Sequence, residues 1–523
     1  MKKLTDYTSY KDAQTYCNKK TLWALMAGNE DNFNISYECV DRHATNKEKL
    51  AITVVQSDGS EELITFQQLS IASSRFAHYL NDIGIKKGDR IALMLEPSFA
   101  FYTALFGSLK AGAIAVPLFT LFGPDAVKLR FQDCHPTLLV TTQEKSISKK
   151  VLGSTQQIFM DKQFLTNLSS YNSAYQTSTS SRDIAIYQYT SGTTRALPAA
   201  IKHHHGAIVT LLVAALYGTG LRPSDKFFCP SSPAWGHGLW HGTLAPLSLG
   251  ISIGTYAGRF NADRLLAALS QHRFTNMSAA ATHYRMMRNS PDIEKHRYFF
   301  EKLSFTGEPL DSDTNSYMQN LFNVAICSMY GTTEIGVILA CYPGADDFVV
   351  KPGSLGKAVP GVRVEVHNNK GEPCSPNEIG EMKVFRHGQW IGTKDLGWVD
   401  EDRYFYHAGR ADDVIISAGW TMSAIEIEDT LLKHPNVLEA AVIGVPDELR
   451  GQIVKAFIIL RSTPNSDTTT HIQDFVRNQL SKHEYPRLVE YVDTLPKTPA
   501  GKINRKILRD RETLQAQSQS AIN

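Results

Sequence analysis

The segment Ser191-Gly192-Thr193-Thr194 carries residue types that can close around phosphate oxygens. A glycine lets the backbone approach closely, and N–H groups and hydroxyls can then point inward at one anion. The segment follows Ile184-Ala185-Ile186-Tyr187, which reads as a strand. No Gly-Lys-Ser/Thr follows at Walker spacing, so any phosphate binding is of another kind. Taken alone, a polar Ser/Thr/Gly turn has the same composition.

Other residues could do related chemistry. Glu334, after Thr332-Thr333, offers the hard oxygen that Mg²⁺ prefers; a charge at a helix start is the plain alternative. Lys502 sits among Lys497, Arg505, Lys506 and Arg509, and could be a point charge for a phosphate or one member of a solvated basic face. Asp395, before Leu396-Gly397, reads by itself as a turn residue. His203-His204-His205 invites a metal reading, but successive side chains on a strand point to opposite faces and cannot share one ion.

The elements that must position these groups alternate. Leu69, Ala72, Phe76, Leu80 and Ile83 recur at helical spacing, Gly88-Asp89 turns, and Ile91 to Leu95 is an apolar run. A helix at about 98–112 and strands at Ile114–Pro117 and Thr137–Thr141 repeat the order. This predicts an α/β fold: a large N-terminal domain built on largely parallel sheet, then a small α+β domain. The polar stretch 168–182 reads as a loop. The sharper boundary lies in Gly409-Arg410-Ala411-Asp412-Asp413, giving domains 1–411 and 412–523. In the second, a helix at Ala424–Leu432, strands at Val437–Val445 and Ile453–Leu460 and a helix near 471–481 are expected, and the last dozen residues should fray.

Composition excludes several classes. With 523 residues the chain exceeds the roughly 250–300 that one core supports, so more than one domain is required. Its 54 basic and 52 acidic residues nearly cancel, which argues against a nucleic-acid partner. The seven cysteines show no metal-ligand spacing and suit a reducing compartment, and no apolar run reaches the ~20 residues of a membrane span. A cytoplasmic protein is expected.

Tyr189-Thr190-Ser191-Gly192-Thr193-Thr194, with Pro198 downstream, resembles the phosphate loop of the adenylate-forming superfamily of acyl-CoA synthetases, peptide-synthetase adenylation domains and luciferases. Four further motifs resemble that superfamily's and follow its order. They are Phe305-Thr306-Gly307-Glu308-Pro309-Leu310, Met329-Tyr330-Gly331-Thr332-Thr333-Glu334, the pair Asp395 and Arg410, and Leu495 to Lys502. The resemblance covers almost the whole chain and is strongest to medium-chain and aryl acid CoA ligases.

The resemblance implies the chemistry. A carboxylate attacks the α-phosphate of ATP, and the acyl-adenylate then passes to a thiol, so cations and donors must hold like charges together. Lys502, Thr333 and Glu334 are the implied catalytic residues, with Glu334 the Mg²⁺ ligand. Thr190, Ser191, Gly192, Thr193, Thr194, Gly307, Glu308, Pro309, Ser328, Tyr330, Asp395 and Arg410 would bind ATP and AMP. Asp412 matches the hinge, Gly419 and Trp420 the coenzyme A tunnel, and Trp235, His237 and Gly331 the acyl pocket. Acetate-specific relatives carry a tryptophan at Gly331, so the acid expected here is medium-chain or aromatic.

Three positions depart from the family pattern. The phosphate loop is one residue longer and has Ala199 where a lysine is usual, leaving Arg195 or Lys202 to supply a cation. Thr421 follows Trp420 where relatives carry arginine, and Lys394 precedes Asp395 where glycine is usual. Two alternatives to a coenzyme A ligase stay open: an enzyme loading the phosphopantetheine of a separate carrier protein, and a nucleotide-binding protein with impaired catalysis.

Overall fold

The computed structural model describes the chain except residues 1, 190–198, 333–334, 411–413, 418–419, 448–449, 481–483, 499–500 and 521–523. The described residues form two compact units. One comprises Met1–Thr306, Met318–Val350 and Val359–Gly361; the other comprises Gly307–Tyr317, Lys351–Ala358 and Val362–Asn523.

In the first unit, the alternation read from the sequence becomes a sheet ordered Gln156–Phe159, Leu138–Thr141, Arg90–Leu93, Ile114–Pro117, Ile184–Gln188, Ile201–His204. All neighbours are parallel except the last two strands, which are antiparallel and pair Gln188 with Ile201. The helix Phe99–Lys110, capped by the Ser98 hydroxyl, is buried from Phe101 onward. The one ammonium on it needs compensation, and Lys110 Nζ lies 2.7 Å from Asp41 Oδ1 and 2.7 Å from Ser74 Oγ. The helix Pro124–Cys134 begins with proline in its first turn and ends where His135 turns left-handed at φ 44°.

A second sheet of this unit runs Gly336–Ala340, Ile326–Thr332, Lys302–Thr306, Asn276–Ala280, Lys226–Cys229, Ser252–Ala257, Leu50–Gln56, Glu61–Thr65. Its inner strands are parallel and its two end pairs antiparallel. Between Lys226–Cys229 and Ser252–Ala257 the chain winds His237–Leu244 as a π-helix, a rare geometry that is frequent at functional sites.

The second unit contains the antiparallel strands Arg363–His367, Gly380–Arg386, Gln389–Val399, Phe405–Arg410 and Ser354–Ala358. A further sheet, Trp420–Ser423, Val414–Ser417, Gly451–Leu460 and Val437–Asp447, is joined by Leu488–Tyr491. The helices Ala424–Leu432 and Thr468–Gln479 cover one face through Ile427, Leu431, Ile472 and Val476.

The expectation that the last dozen residues fray is corrected: Arg505–Ser520 is a helix. Leu508 is buried against Ala441, Phe457 and Leu495, while Lys455 Nζ meets Glu512 Oε2 at 2.8 Å and Arg511 meets Glu490 at 2.7 Å. One apolar anchor and two ion pairs at helical spacing are enough to carry the polar remainder.

Candidate active site

Asp395 is placed by a bulge. Glu381 pairs with Leu396 but Lys383 pairs with Gly392, so Thr393, Lys394 and Asp395 loop out of register. Such an insertion re-aims a side chain. Thr393 Oγ1 donates to Met382 O at 2.8 Å and accepts the Asp395 N–H at 3.1 Å, which locks the bulge. Lys394 takes φ 64°, a left-handed conformation that glycine adopts without cost. Here is the physical reason for the glycine that the family pattern prefers at this position. Asp395 is 5% exposed, sits opposite Arg410 in the strand register, and has His407 Nε2 3.8 Å from its Oδ1.

Lys502 stands on a closed turn. Thr498 N–H donates to Lys502 O at 2.7 Å, Lys502 N–H to Thr498 Oγ1 at 3.3 Å, and Asn504 N–H to Pro496 O at 2.7 Å. Gly501, at φ 85°, permits the reversal. Three neighbouring cations have carboxylate partners: Lys497 with Glu439, Arg505 with Glu428, and Lys506 with Asp510. Glu428 also accepts the Val442 N–H at 2.7 Å, so Arg505 serves the packing of this unit.

Gly307, Glu308 and Pro309 follow the strand Lys302–Thr306, with Gly307 turning at φ 97°. Their segment is held to the helix Ala424–Leu432, where Asp429 Oδ1 accepts the Ser312 N–H at 3.1 Å. Ser328 and Tyr330 lie in Ile326–Thr332, Ser328 being 3% exposed with its carbonyl accepting the Cys341 N–H at 3.2 Å. Thr190, Ser191, Gly192, Thr193, Thr194, Thr333, Glu334, Asp412 and Gly419 lie outside the described residues, as do the side chains of Arg410 and Trp420. Of the expected positions, Ser328 and Tyr330 belong to the first unit, and Gly307, Glu308, Pro309, Asp395 and Lys502 to the second.

The three histidines diverge as strand geometry requires. His205 is fully buried and its Nδ1 accepts the Ile35 N–H at 3.1 Å; burial pushes its pKa down to about 3. His203 packs 4.9 Å from the Trp240 ring, with burial lowering it to about 4, while His204 is exposed. No group of three metal-ligating side chains occurs among the described residues. Of the two candidates for the missing loop cation, Lys202 is exposed with Nζ 5.2 Å from the Tyr187 ring centroid. Arg195 lies outside the described residues.

On the acyl side, His237 is 4% exposed and clamped by two serine hydroxyls, Ser231 Oγ at Nδ1 and Ser278 Oγ at Nε2, each 2.9 Å away. Trp235 packs edge-on to it at 5.2 Å. Trp240 Nε1–H donates to Gln188 Oε1 at 2.8 Å. Gly331 lies so close to the adjacent strand that a Cβ would fall 2.1 Å from Gly336 O. Sequence reasoning missed Ser231, Ser278 and Gln188. The signal for Ser278 was a hydroxyl between the apolar Met277 and Ala279 in a buried strand, which must find a partner.

Two family models match the chain: AMP-binding enzyme over residues 40–390, and AMP-binding enzyme C-terminal domain over residues 426–502. It is 32% identical over 518 residues to acetyl-coenzyme A synthetase of Bacillus subtilis (strain 168), spanning 91% of this chain and 90% of that protein. The fold superposes on an anthranilate CoA ligase solved with anthranoyl-AMP, with TM-score 0.83, 27% identity and coverage of 93% and 98%. It also superposes on a benzoate CoA ligase from Burkholderia xenovorans LB400, with TM-score 0.79, 26% identity and coverage of 91% and 100%. The chain belongs to the AMP-binding enzyme family, a branch of the adenylate-forming superfamily. Within it, the chain is an AMP-forming acid–thiol ligase of the acyl-CoA synthetase kind.

Proposed function

We propose that this ligase activates a medium-chain or aromatic carboxylic acid with ATP and transfers it to coenzyme A. The observation that carries the choice of acid is the double clamp on His237. With both ring nitrogens engaged by Ser231 and Ser278, the imidazole keeps its hydrogen-bonding atoms for protein partners and packs edge-on to Trp235, so an apolar or aromatic acyl group suits this wall better than one bearing a second charge. The similar proteins are named for acetate, anthranilate and benzoate, so chemistry at the wall has to decide among them.

Lys502 supplies the charge that brings carboxylate and α-phosphate together, and Asp395 accepts the ribose hydroxyls from a bulge that fixes its direction. Gly307, Glu308, Pro309, Ser328 and Tyr330 complete the nucleotide side, together with Arg410 and the phosphate loop. Magnesium enters with ATP and neutralises phosphate charge, Glu334 being the ligand offered by the motif. Asp412 is the hinge between domains 1–411 and 412–523, and Gly419 and Trp420 border the coenzyme A path. No helix among the described residues is long and apolar enough to cross a membrane.

The test is ATP–pyrophosphate exchange across acetate, octanoate, benzoate and anthranilate, followed by addition of coenzyme A or a phosphopantetheinylated carrier protein. Octanoate or an aryl acid should exchange faster than acetate, and coenzyme A should discharge the adenylate. Preference for acetate would refute the pocket reading, and discharge only by the carrier would reassign the acceptor. No exchange with any acid would favour the impaired nucleotide binder.

A further inference from the structure

The strands Ile184–Gln188 and Ile201–His204 form a hairpin whose last pair is Gln188 with Ile201, so Tyr189 and Ala200 are the next two positions, one on each arm. The segment between them in sequence is the phosphate loop. Asp133, on the helix Pro124–Cys134, reaches both arms with one oxygen. Its Oδ2 accepts the Tyr189 hydroxyl at 2.8 Å and the Ala200 N–H at 3.0 Å. The same hydroxyl has the Arg130 carbonyl 3.0 Å away, and the Arg130 guanidinium lies 3.8 Å from the Phe122 ring centroid and 5.4 Å from that of Tyr189. One face of this helix therefore fixes both the ring and the hydroxyl of the residue that enters the loop.

The geometry points to Asp133 as a positioning residue for the triphosphate of ATP, a role that rests on reading residues 190–194 as the phosphate loop. A carboxylate beside a polyphosphate is electrostatically unfavourable, and this loop has already exchanged its usual lysine for Ala199. Asp133 consequently acts as an acceptor that replaces the next rung of the hairpin, holding Tyr189 and Ala200 at the two ends of a segment one residue longer than the family pattern. Its charge contributes nothing favourable to the bound nucleotide. Asp133 is exposed, so its truncation opens no cavity, and the Tyr189 hydroxyl keeps the Arg130 carbonyl as acceptor.

The experiment needs no knowledge of the acid. Dissociation constants for MgATP and for AMP are measured by calorimetry on the full chain and on Asp133→Ala, Asp133→Asn, Tyr189→Phe and Thr193→Ala. Asp133→Ala should weaken ATP by about tenfold, the loss expected for two hydrogen bonds to a charged acceptor at the surface, and AMP much less. Asp133→Asn keeps an acceptor oxygen and should restore ATP affinity to wild type or better. Tyr189→Phe, which removes one bond from the other side, should give a smaller loss. An unchanged ATP constant in Asp133→Ala, or equal weakening of ATP and AMP, overturns the assignment when Thr193→Ala weakens ATP. If Thr193→Ala also leaves ATP unchanged, the phosphate-loop reading itself falls.

Discussion

Gly331, paired with Val337 on the neighbouring strand, lies so close to the Gly336 carbonyl that no side chain fits at position 331. A Cβ on Gly331 would stand 2.1 Å from Gly336 O and 2.7 Å from Val337 Cα. The strand register shifts between Tyr330 and Gly331, where the backbone bends toward its partner. A glycine that the family comparison reads as an open pocket floor is therefore also required by the strand pair. Gly331→Ala should lower stability by about 1–3 kcal/mol, as overpacking does, seen as a lower denaturant midpoint. Wild-type stability in that variant would show that the strands can separate at no cost. Pocket width is better tested at Trp235: Trp235→Ala should raise KM for benzoate more than it lowers kcat, whereas a fall in kcat alone would remove Trp235 from the acid wall.

Lys394 holds its left-handed backbone at a cost. A residue with a Cβ in this region is disfavoured by about 1–2 kcal/mol, partly offset because glycine gains entropy in the unfolded chain. Lys394→Gly should leave stability unchanged or raise it by up to about 1 kcal/mol, and Lys394→Val should lower it, since β-branched residues tolerate this region least. Thermal unfolding of the two variants ranks them. If valine proves as stable as glycine, the bulge does not depend on φ at 394.

Lys502→Ala separates the half-reactions. Adenylate formation, followed by pyrophosphate exchange, should fall by about 10²–10³-fold, the usual cost of removing an oriented charge from a transition state. Thioester formation from preformed acyl-adenylate should stay within a few-fold of wild type. Equal loss in both would mean that Lys502 supports the fold of its turn.

Stability should fall on the acid side of neutrality. Burial holds His203 near 4 and His205 near 3, below the ordinary value of about 6.5. In the intervening pH range the unfolded chain binds protons that the folded chain does not, so unfolding free energy rises with pH. The contribution of each imidazole is complete above about pH 6.5 and is lost as pH falls toward 4 for His203 and 3 for His205, at up to about 1.4 kcal/mol per pH unit for each. His205→Asn retains an acceptor for the Ile35 N–H and removes one of the two titrations. Urea midpoints between pH 7 and 5 should accordingly fall less steeply in that variant; an identical slope would show that His205 is not protonated on unfolding.

By itself, the sequence determined the order of the motifs, the α/β alternation from Leu69 to Thr141 and the extent of the helix Ala424–Leu432, because each is written in neighbouring residues. Periodicity, capping and turn preference act over a few positions, and a motif is a run of side chains along one strand or turn. It also marked Lys394 as a departure, without its reason. Tertiary structure alone decided that Lys394 is left-handed, that Gly331 is pressed against a strand, and that the polar tail is helical through Leu508. It alone joined Ser278 to His237 and Asp133 to Ala200, pairs separated by 41 and 67 residues. A hydrogen bond needs its two atoms within about 3 Å in space, and that proximity comes from how helices and sheets stack, not from spacing along the chain.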